Sequence, residues 1–514
     1  MSEMSRRDLL RVFSLITFAI CESVAVPMAS ATSRLRRTPF DELIEYDGLG
    51  LAHLIKQRQI SAQELTITVQ KRIAATNPLL NFMTNTCYER AIDHIAKINS
   101  ASTFAGVPVL IKDMIDVAGV PRTDGSRLFS SRMIERNVRY IDGIEEAGLN
   151  IIGMTNVPEL ASLIVTDNDL FGPTRNPWNL DYSPFASSGG SACAVAAGVV
   201  PIAHGTDGAG SNRLPANTTG LLGMKPSRHR MVSGESNGEH DLAKTNQVIT
   251  RTVRDSAAVL NATEDKSGEK FPPIGFVTKP LQKSLRIAYI DDMPSELAVA
   301  SDVKEAHEST KALLESLGHT LFPIEYPVDF MQLKESYMGF FAAKLSGLAA
   351  YVHQISGKGV SESELLTHAL ATNIESSAGY PDENITQAIA YLNSLEEAFA
   401  KVFTRCDLIV TPVSPVSGVK QDEIGPHQTW NAELASFTME RLKFTSPANF
   451  AGIPAMSVPL YWNQHNMPVG SQFLAAAGED RTLYELAYQL EEARPWKNKW
   501  APHSLMFTDA FDPP

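Results

Sequence analysis

Cysteine is scarce, with four residues in 514. Cys87, Cys193 and Cys406 are far apart and Cys21 lies near the N-terminus. That spacing excludes a disulfide scaffold and a paired-cysteine zinc site, while a single disulfide stays open. The twelve histidines are scattered, and neither a metal nor a cofactor is implied. Positive charge is in deficit. Lys and Arg number 45 against 58 Asp and Glu, a net charge of −13 that argues against nucleic acid and anionic membrane surfaces as partners. Long apolar runs are missing as well. The run from Val12 to Cys21 is about ten residues, too short to cross a bilayer of about 30 Å as a helix, so no integral membrane span is expected. No repeat, coiled coil or low-complexity tract appears. What the chain does have is a 44% hydrophobic content, ample for a large core.

Three short segments carry chemistry. Lys112 ends the apolar run Gly106-Val107-Pro108-Val109-Leu110-Ile111. Ser187 lies in Ser187-Ser188-Gly189-Gly190-Ser191, and Ser211 follows Gly205-Thr206-Asp207-Gly208-Ala209-Gly210. A serine hydroxyl is a poor nucleophile at neutral pH and needs a base within hydrogen-bond reach. A lysine serves only if it is neutral, and burial disfavours its charged form. A strand end inside an apolar run is one way to bury it. Asp113 comes next, but on a strand it points to the opposite face and need not hold Lys112 charged. The small residues before Ser211 let a carbonyl approach backbone N–H groups closely, as an oxyanion hole requires. Alone, Lys112 reads as a solvated strand-end lysine and the Ser187 segment as a flexible linker. Together with the Ser211 loop they read as a serine hydrolase with a lysine base.

These segments, in this order, resemble the amidase signature family. The spacing is similar too, with 75 residues from Lys112 to Ser187 and 24 from Ser187 to Ser211. The resemblance implies a single-domain α/β layered fold, with a large mixed twisted sheet covered by helices on both sides. It implies a Ser-cisSer-Lys triad in which Lys112 is the base, Ser187 the bridging serine after a cis peptide, and Ser211 the acylated nucleophile. Backbone amides of Gly208, Ala209, Gly210 and Ser211 would form the oxyanion hole, with Ser188, Asp207 and Arg213 in support and Asp207–Arg213 bracing the loop as an ion pair. The implied reaction is hydrolysis of a small-molecule amide, releasing ammonia or an amine. The same triad would also serve an ester, carbamate or cyclic amide. Homo-oligomerisation stays open.

The chain departs from the family pattern in places. Phe185-Ala186 stands before Ser187 where Gly-Gly is usual, and Phe185 is expected to narrow the pocket entrance. Ala209 and Asn212 depart in the nucleophile loop, and the Ala-Gly-Ser form is similar to amidases acting on nylon oligomers. Met114 and Asp124 replace the usual Asn and Ala. An Asp124 facing the pocket would favour an amine-bearing substrate; a solvated loop acid is the blander alternative. Gly234-Glu235-Ser236-Asn237-Gly238 matches a nucleophile-elbow pattern, but no buried strand precedes it and the helix signal after it is poor. A catalytically inactive binding protein on the same fold is the alternative outside enzymes, and the intact Lys112, Ser187 and Ser211 speak against it. An amidotransferase A subunit acting with tRNA is a remoter one, set aside because export would remove it from tRNA.

Residues Ser5-Arg6-Arg7-Asp8-Leu9-Leu10-Arg11 resemble a twin-arginine export signal, and Ala29-Ser30-Ala31 suits cleavage. Residues 1–31 are therefore expected to be a signal and 32–514 a single amidase domain, periplasmic or secreted. Further on, two helices are expected between Asp47 and Ala75, the second with a Ser61-Ala62-Gln63-Glu64 capping box and ended by Asn77-Pro78. Strands are expected at Val107–Ile111, Asn150–Met154, Leu285–Ile290, Thr320–Ile324 and Asp407–Pro412, with closing strands between Thr445 and Gln472. A small-residue helix over Ser191–Ala197 is capped by Gly198. Residues 264 to 284 read as an exposed loop. Residues 325 to 405 read as helical and carry Tyr337, Phe340, Phe341, Tyr351 and Tyr391, an aromatic stripe more often core than pocket.

Overall fold

Val107-Pro108-Val109-Leu110-Ile111-Lys112 is apolar up to its last residue, with β-branched side chains at Val107, Val109 and Ile111, and it forms a central strand whose six residues are all buried. The structure is a computed structural model, and it describes residues 39–507 with the exception of 239. The twin-arginine segment lies outside the described residues. The strands are β1 (Met83–Thr86), β2 (Val107–Lys112), β3 (Leu149–Thr155), β4 (Tyr182–Ser183), β5 (Ile202–Asp207), β6 (Leu222–Lys225), β7 (Thr245–Thr250), β8 (Arg286–Tyr289), β9 (Thr320–Pro323), β10 (Leu408–Pro412), β11 (Val419–Lys420), β12 (Ala455–Trp462) and β13 (Pro468–Ala475). Eleven of them make one sheet in the order β1-β3-β2-β5-β7-β6-β12-β13-β10-β8-β9, and β4 pairs with β11 separately.

The sheet is mixed. β2 runs parallel to both β3 and β5, while β5 and β7 are antiparallel. Every residue of β2, β3, β5, β7 and β13 is buried. Side chains alternate between faces along a strand, so both faces of the sheet are covered. Because β2 and β5 are parallel neighbours, Lys112 and Asp207 end their strands at the same edge. Carboxyl edges of parallel strands are where α/β sheets place ligands.

Most expected elements are present within a residue or two. The first helices are Gly48–Lys56 and Ala62–Leu80, and the Ser61–Glu64 capping box is formed in both directions. Pro78 does not end the second helix. It sits in the last turn, where its missing N–H costs one hydrogen bond, and the stop comes at Asn81 in a left-handed conformation. Residues 264 to 284 form no helix or strand, yet they are not simply exposed. The buried Glu264 carboxylate accepts from the amides of Ile274 and Gly275, and Val277 and Leu281 are in the core. Between Thr445 and Ala455 the chain makes the short helix Ser446–Phe450 before the closing strands β12 and β13. The segment from 325 to 405 is helical, at Phe330–Ser356, His368–Ser377 and Asp382–Phe403. Cys87, Cys193 and Cys406 are free thiols. Among the described residues no helix is long and apolar enough to cross a membrane.

Candidate active site

Lys112 is fully buried at the end of β2. Its Nζ lies 2.6 Å from Ser187 Oγ, 2.8 Å from Thr206 Oγ1 and 3.4 Å from the Thr206 carbonyl. Burial is the main cause that pushes the amine well below the usual lysine range, and the nearby Lys244 charge adds to it. Asp207 and Asp124 pull the other way. Asp113 plays no part. Its carboxylate is occupied by the amide and hydroxyl of Thr123, at 2.9 and 2.6 Å. A neutral amine has one lone pair and two N–H donors, which suits a site with two hydroxyls and a carbonyl. A second buried lysine, Lys225, is lowered to about 7 by burial first, but it donates to the Pro226 carbonyl.

Ser187 follows a cis peptide after Ala186 and precedes the small-residue helix Gly189–Ala196. The glycines there are required by close approach. A Cβ on Gly190 would meet the Asn156 backbone nitrogen at 2.5 Å. Ser191 Oγ ties the helix to β5 and β3, 2.7 Å from both the His204 carbonyl and Thr155 Oγ1. The Ser188 amide donates to the Ser211 carbonyl at 3.2 Å, which sets the two serine loops side by side. Ser188 Oγ contacts the Thr206 carbonyl and Asn212 Oδ1, both at 3.2 Å.

The loop after β5 is held from below. Asp207 and Arg213 form a fully buried ion pair at 2.9 Å, as expected. Burial alone would raise the Asp207 carboxyl, but the Arg213 charge and bonds from Arg213 and Asn449 hold it well below the usual carboxylate range. Asp207 also accepts from the amides of Gly210 and Asn212. The Gly210 N–H, counted above among the oxyanion donors, is thus spent on Asp207 at 2.7 Å. Arg213 reaches on to the Thr445 carbonyl, Gln472 and Asn449. Thr445 Oγ1 donates to the Ala209 carbonyl at 2.7 Å.

Ser211 opens into a cavity walled by Ala186 and Ala209, by Leu160 to Ile164, and by residues of three helices. Tyr337 and Phe341 of the aromatic stripe reach it. Phe340 is in the core, Tyr351 stacks on Phe129, and Tyr391 donates to the Asp329 carbonyl. Two expectations about the pocket fail. Phe185 is fully buried in the core with its backbone at φ 59°, so it does not narrow the entrance. Asp124 is neither pocket-lining nor solvated. It is 2% exposed and clamped between Arg122 and Arg132, at 2.9 and 2.5 Å. Ser236 lies on an exposed turn with no strand before it, so the nucleophile-elbow pattern is empty. Sequence reasoning missed Thr206, Asn449 and Trp430, the last of which lines the cavity at Ser211. Thr206 lies within the Ser211 motif itself, but no local signal singles out the other two.

The family model described as Amidase matches residues 64–484. The chain belongs to the amidase family. A putative amidase AmiC of Mycobacterium tuberculosis is 34% identical over 92% of this chain and 99% of its own. A lipoamidase of Enterococcus faecalis is 31% identical over 86% of this chain and 62% of its own. Among solved structures, 6-aminohexanoate cyclic dimer hydrolase complexed with substrate superposes with a TM-score of 0.81, at 26% identity, over 90% of this chain and 99% of that one. The protein is thus a hydrolase of carboxylic amides, built on the mixed α/β fold of its amidase relatives.

Proposed function

We propose that this amidase works through an acyl-enzyme on Ser211. Ser211 Oγ attacks the amide carbonyl while its proton passes to Ser187 Oγ, whose own proton passes to neutral Lys112 Nζ. The oxyanion is received by the amides of Gly208, Ala209 and Ser211, with Gly210 bracing the loop through Asp207. The tetrahedral adduct collapses by breaking the C–N bond, and Lys112 returns the proton through Ser187 to the leaving nitrogen. Ammonia or an amine departs, and water then attacks the acyl-enzyme by the same relay in reverse. The observation that carries this reading is the 2.6 Å contact between a fully buried lysine and a serine set beside the Ser211 loop. Intact-mass spectrometry on a slow substrate is expected to show an acyl adduct at Ser211 that Ser211→Ala abolishes. An adduct mapping to Ser187 or Ser236 would overturn the assignment.

The same reading extends to location and domain organisation. Arg6-Arg7 and the small-residue site ending at Ala31 support export of the folded enzyme by a twin-arginine route, leaving 32–514 as the amidase domain. Replacing Arg6 and Arg7 together by Lys should hold the enzyme in the cytoplasmic fraction. Unaltered periplasmic activity in that variant would defeat the export reading.

A further inference from the structure

Among the described residues, the cavity at Ser211 is lined by no ionisable side chain apart from the Tyr337 phenol. Its walls are apolar and aromatic, with Leu163, Ile164, Phe341, Leu370, Trp430 and Leu442 around it. Tyr337 and Phe341 stack with their rings 4.6 Å apart and 28° from parallel. A charged group entering such a wall would lose its hydration with no counter-ion to replace it. Beside Ser162 and the Tyr337 hydroxyl, the wall carries the polar side chains of Asn373 and Thr438. Asn373, 6% exposed, accepts a long 3.5 Å contact from Ser377 through Oδ1, and its Nδ2 makes no hydrogen bond among the described residues. Thr438 Oγ1 is buried and has no hydrogen-bond partner among the described residues, although a mid-helix threonine has its own i−4 carbonyl in reach. Buried polar groups are rarely left unpaired, so the buried Thr438 Oγ1 and the uncommitted Asn373 Nδ2, both lining one cavity, point to a ligand that satisfies them.

Resting on Ser211 as the nucleophile, we propose that the cavity holds the acyl portion of the substrate, and that this portion is uncharged, apolar and carries one neutral hydrogen-bonding group directed to Asn373. The acyl portion is assigned because it stays on the enzyme through both half-reactions, whereas the amine must leave. Helix His368–Ser377 supplies both Leu370 and Asn373, so one element sets the apolar character and the polar point of the site.

The test uses the full chain and para-nitroanilides of equal-length acyl chains ending in methyl, primary carboxamide, carboxylate or ammonium. The two neutral chains should exceed both charged ones in kcat/KM by about tenfold or more. Asn373→Asp keeps the shape and adds a charge. It should raise the ammonium-to-methyl ratio of kcat/KM by roughly tenfold, and Asn373→Leu should lower the carboxamide-to-methyl ratio. Ratios within one variant are insensitive to the fraction folded. A charged chain matching the neutral ones in the unaltered enzyme, or ratios unmoved in both variants, would overturn the proposal. A small phosphonate mapped on the unaltered enzyme reads the nucleophile separately. Labelling at Ser211 with unmoved ratios would sink the substrate class and leave the mechanism standing. Labelling elsewhere would sink the mechanism and this proposal with it.

Discussion

In the proposed mechanism Lys112 acts by lacking a charge. It is encircled by hydroxyls and a carbonyl, and the carboxylate next to it in sequence is turned away to Thr123. Its pKa is lowered, so the neutral, competent form persists to lower pH than free lysine (about 10.4) would allow. The sign follows directly. Activity should be present above the lowered pKa and should fall as pH drops through it and the amine takes a proton. Lys112→Arg is expected to be as damaging as Lys112→Ala, because a guanidinium keeps its proton in a protein. Losses of about a thousandfold or more in kcat/KM are expected for both, of the order seen when a catalytic unit loses its base. The check is kcat/KM against pH for the unaltered enzyme, with both variants assayed at its optimum. Near-normal activity in Lys112→Arg would mean that the site needs a positive charge and not a base. The Lys112–Ser187 contact and the neighbouring Ser211 loop were legible in the sequence as a candidate site because their surroundings are constrained locally, by strand burial and by small loop residues. Asp124 and Phe185 were misread because their environments are set by distant partners, two arginines and the core, that no local pattern announces.

At the scale of elements, the site is built where two segments far apart in sequence are pinned together. Glu159 is 2% exposed and accepts from Ser126 Oγ at 2.5 Å and from the Thr367 amide and hydroxyl at 2.8 and 2.7 Å. Thr367 caps helix His368–Ser377, which carries Leu370 and Asn373 into the cavity. Beside it, Leu160 and Ala161 hold left-handed backbone at φ 49° and 58° and line the same wall. The carboxylate therefore fixes two pocket segments at once, and burial raises its pKa despite those bonds. Glu159→Ala would strand three buried donors and should cost about 3 kcal/mol of stability, given 1.5–3 kcal/mol for bonds to a charged group. Its kinetic signature should be a KM raised roughly tenfold with a smaller fall in kcat, because the wall moves and the triad does not. Glu159→Gln retains one acceptor oxygen and should recover part of both. Equal falls in kcat and kcat/KM would show that Glu159 acts on the chemistry and not on the wall. The helices themselves were legible from their periodicity. Their docking was not, because one buried carboxylate decides it across 208 residues.

The molecule as a whole is closed by residues beyond the span that marks the family, which ends at residue 484. Trp496, Leu505 and Met506 are all 1% exposed or less. Trp496 Nε1 donates to the Arg251 carbonyl at 2.7 Å, next to the end of β7. The Leu505 amide bonds the Ala197 carbonyl behind the Ser187 helix, and the Phe40 amide bonds the Leu505 carbonyl, so both ends of the described chain meet there. Local periodicity cannot reveal such closure, since nothing in the irregular stretch after Ala493 distinguishes a buried tryptophan from a surface one. Trp500 supplies the contrast. It is half-buried and stacks on the Arg251 guanidinium at 3.6 Å, an interaction of about 1 kcal/mol. Trp496→Ala should instead lose transfer free energy and leave a cavity, costing about 3–5 kcal/mol. Urea unfolding of Trp496→Ala and Trp500→Ala should therefore show a much larger midpoint shift for Trp496→Ala, with similar slopes. If the two cost the same, the C-terminal segment lies on the surface in solution. The Ser187 helix would then be held by the sheet alone.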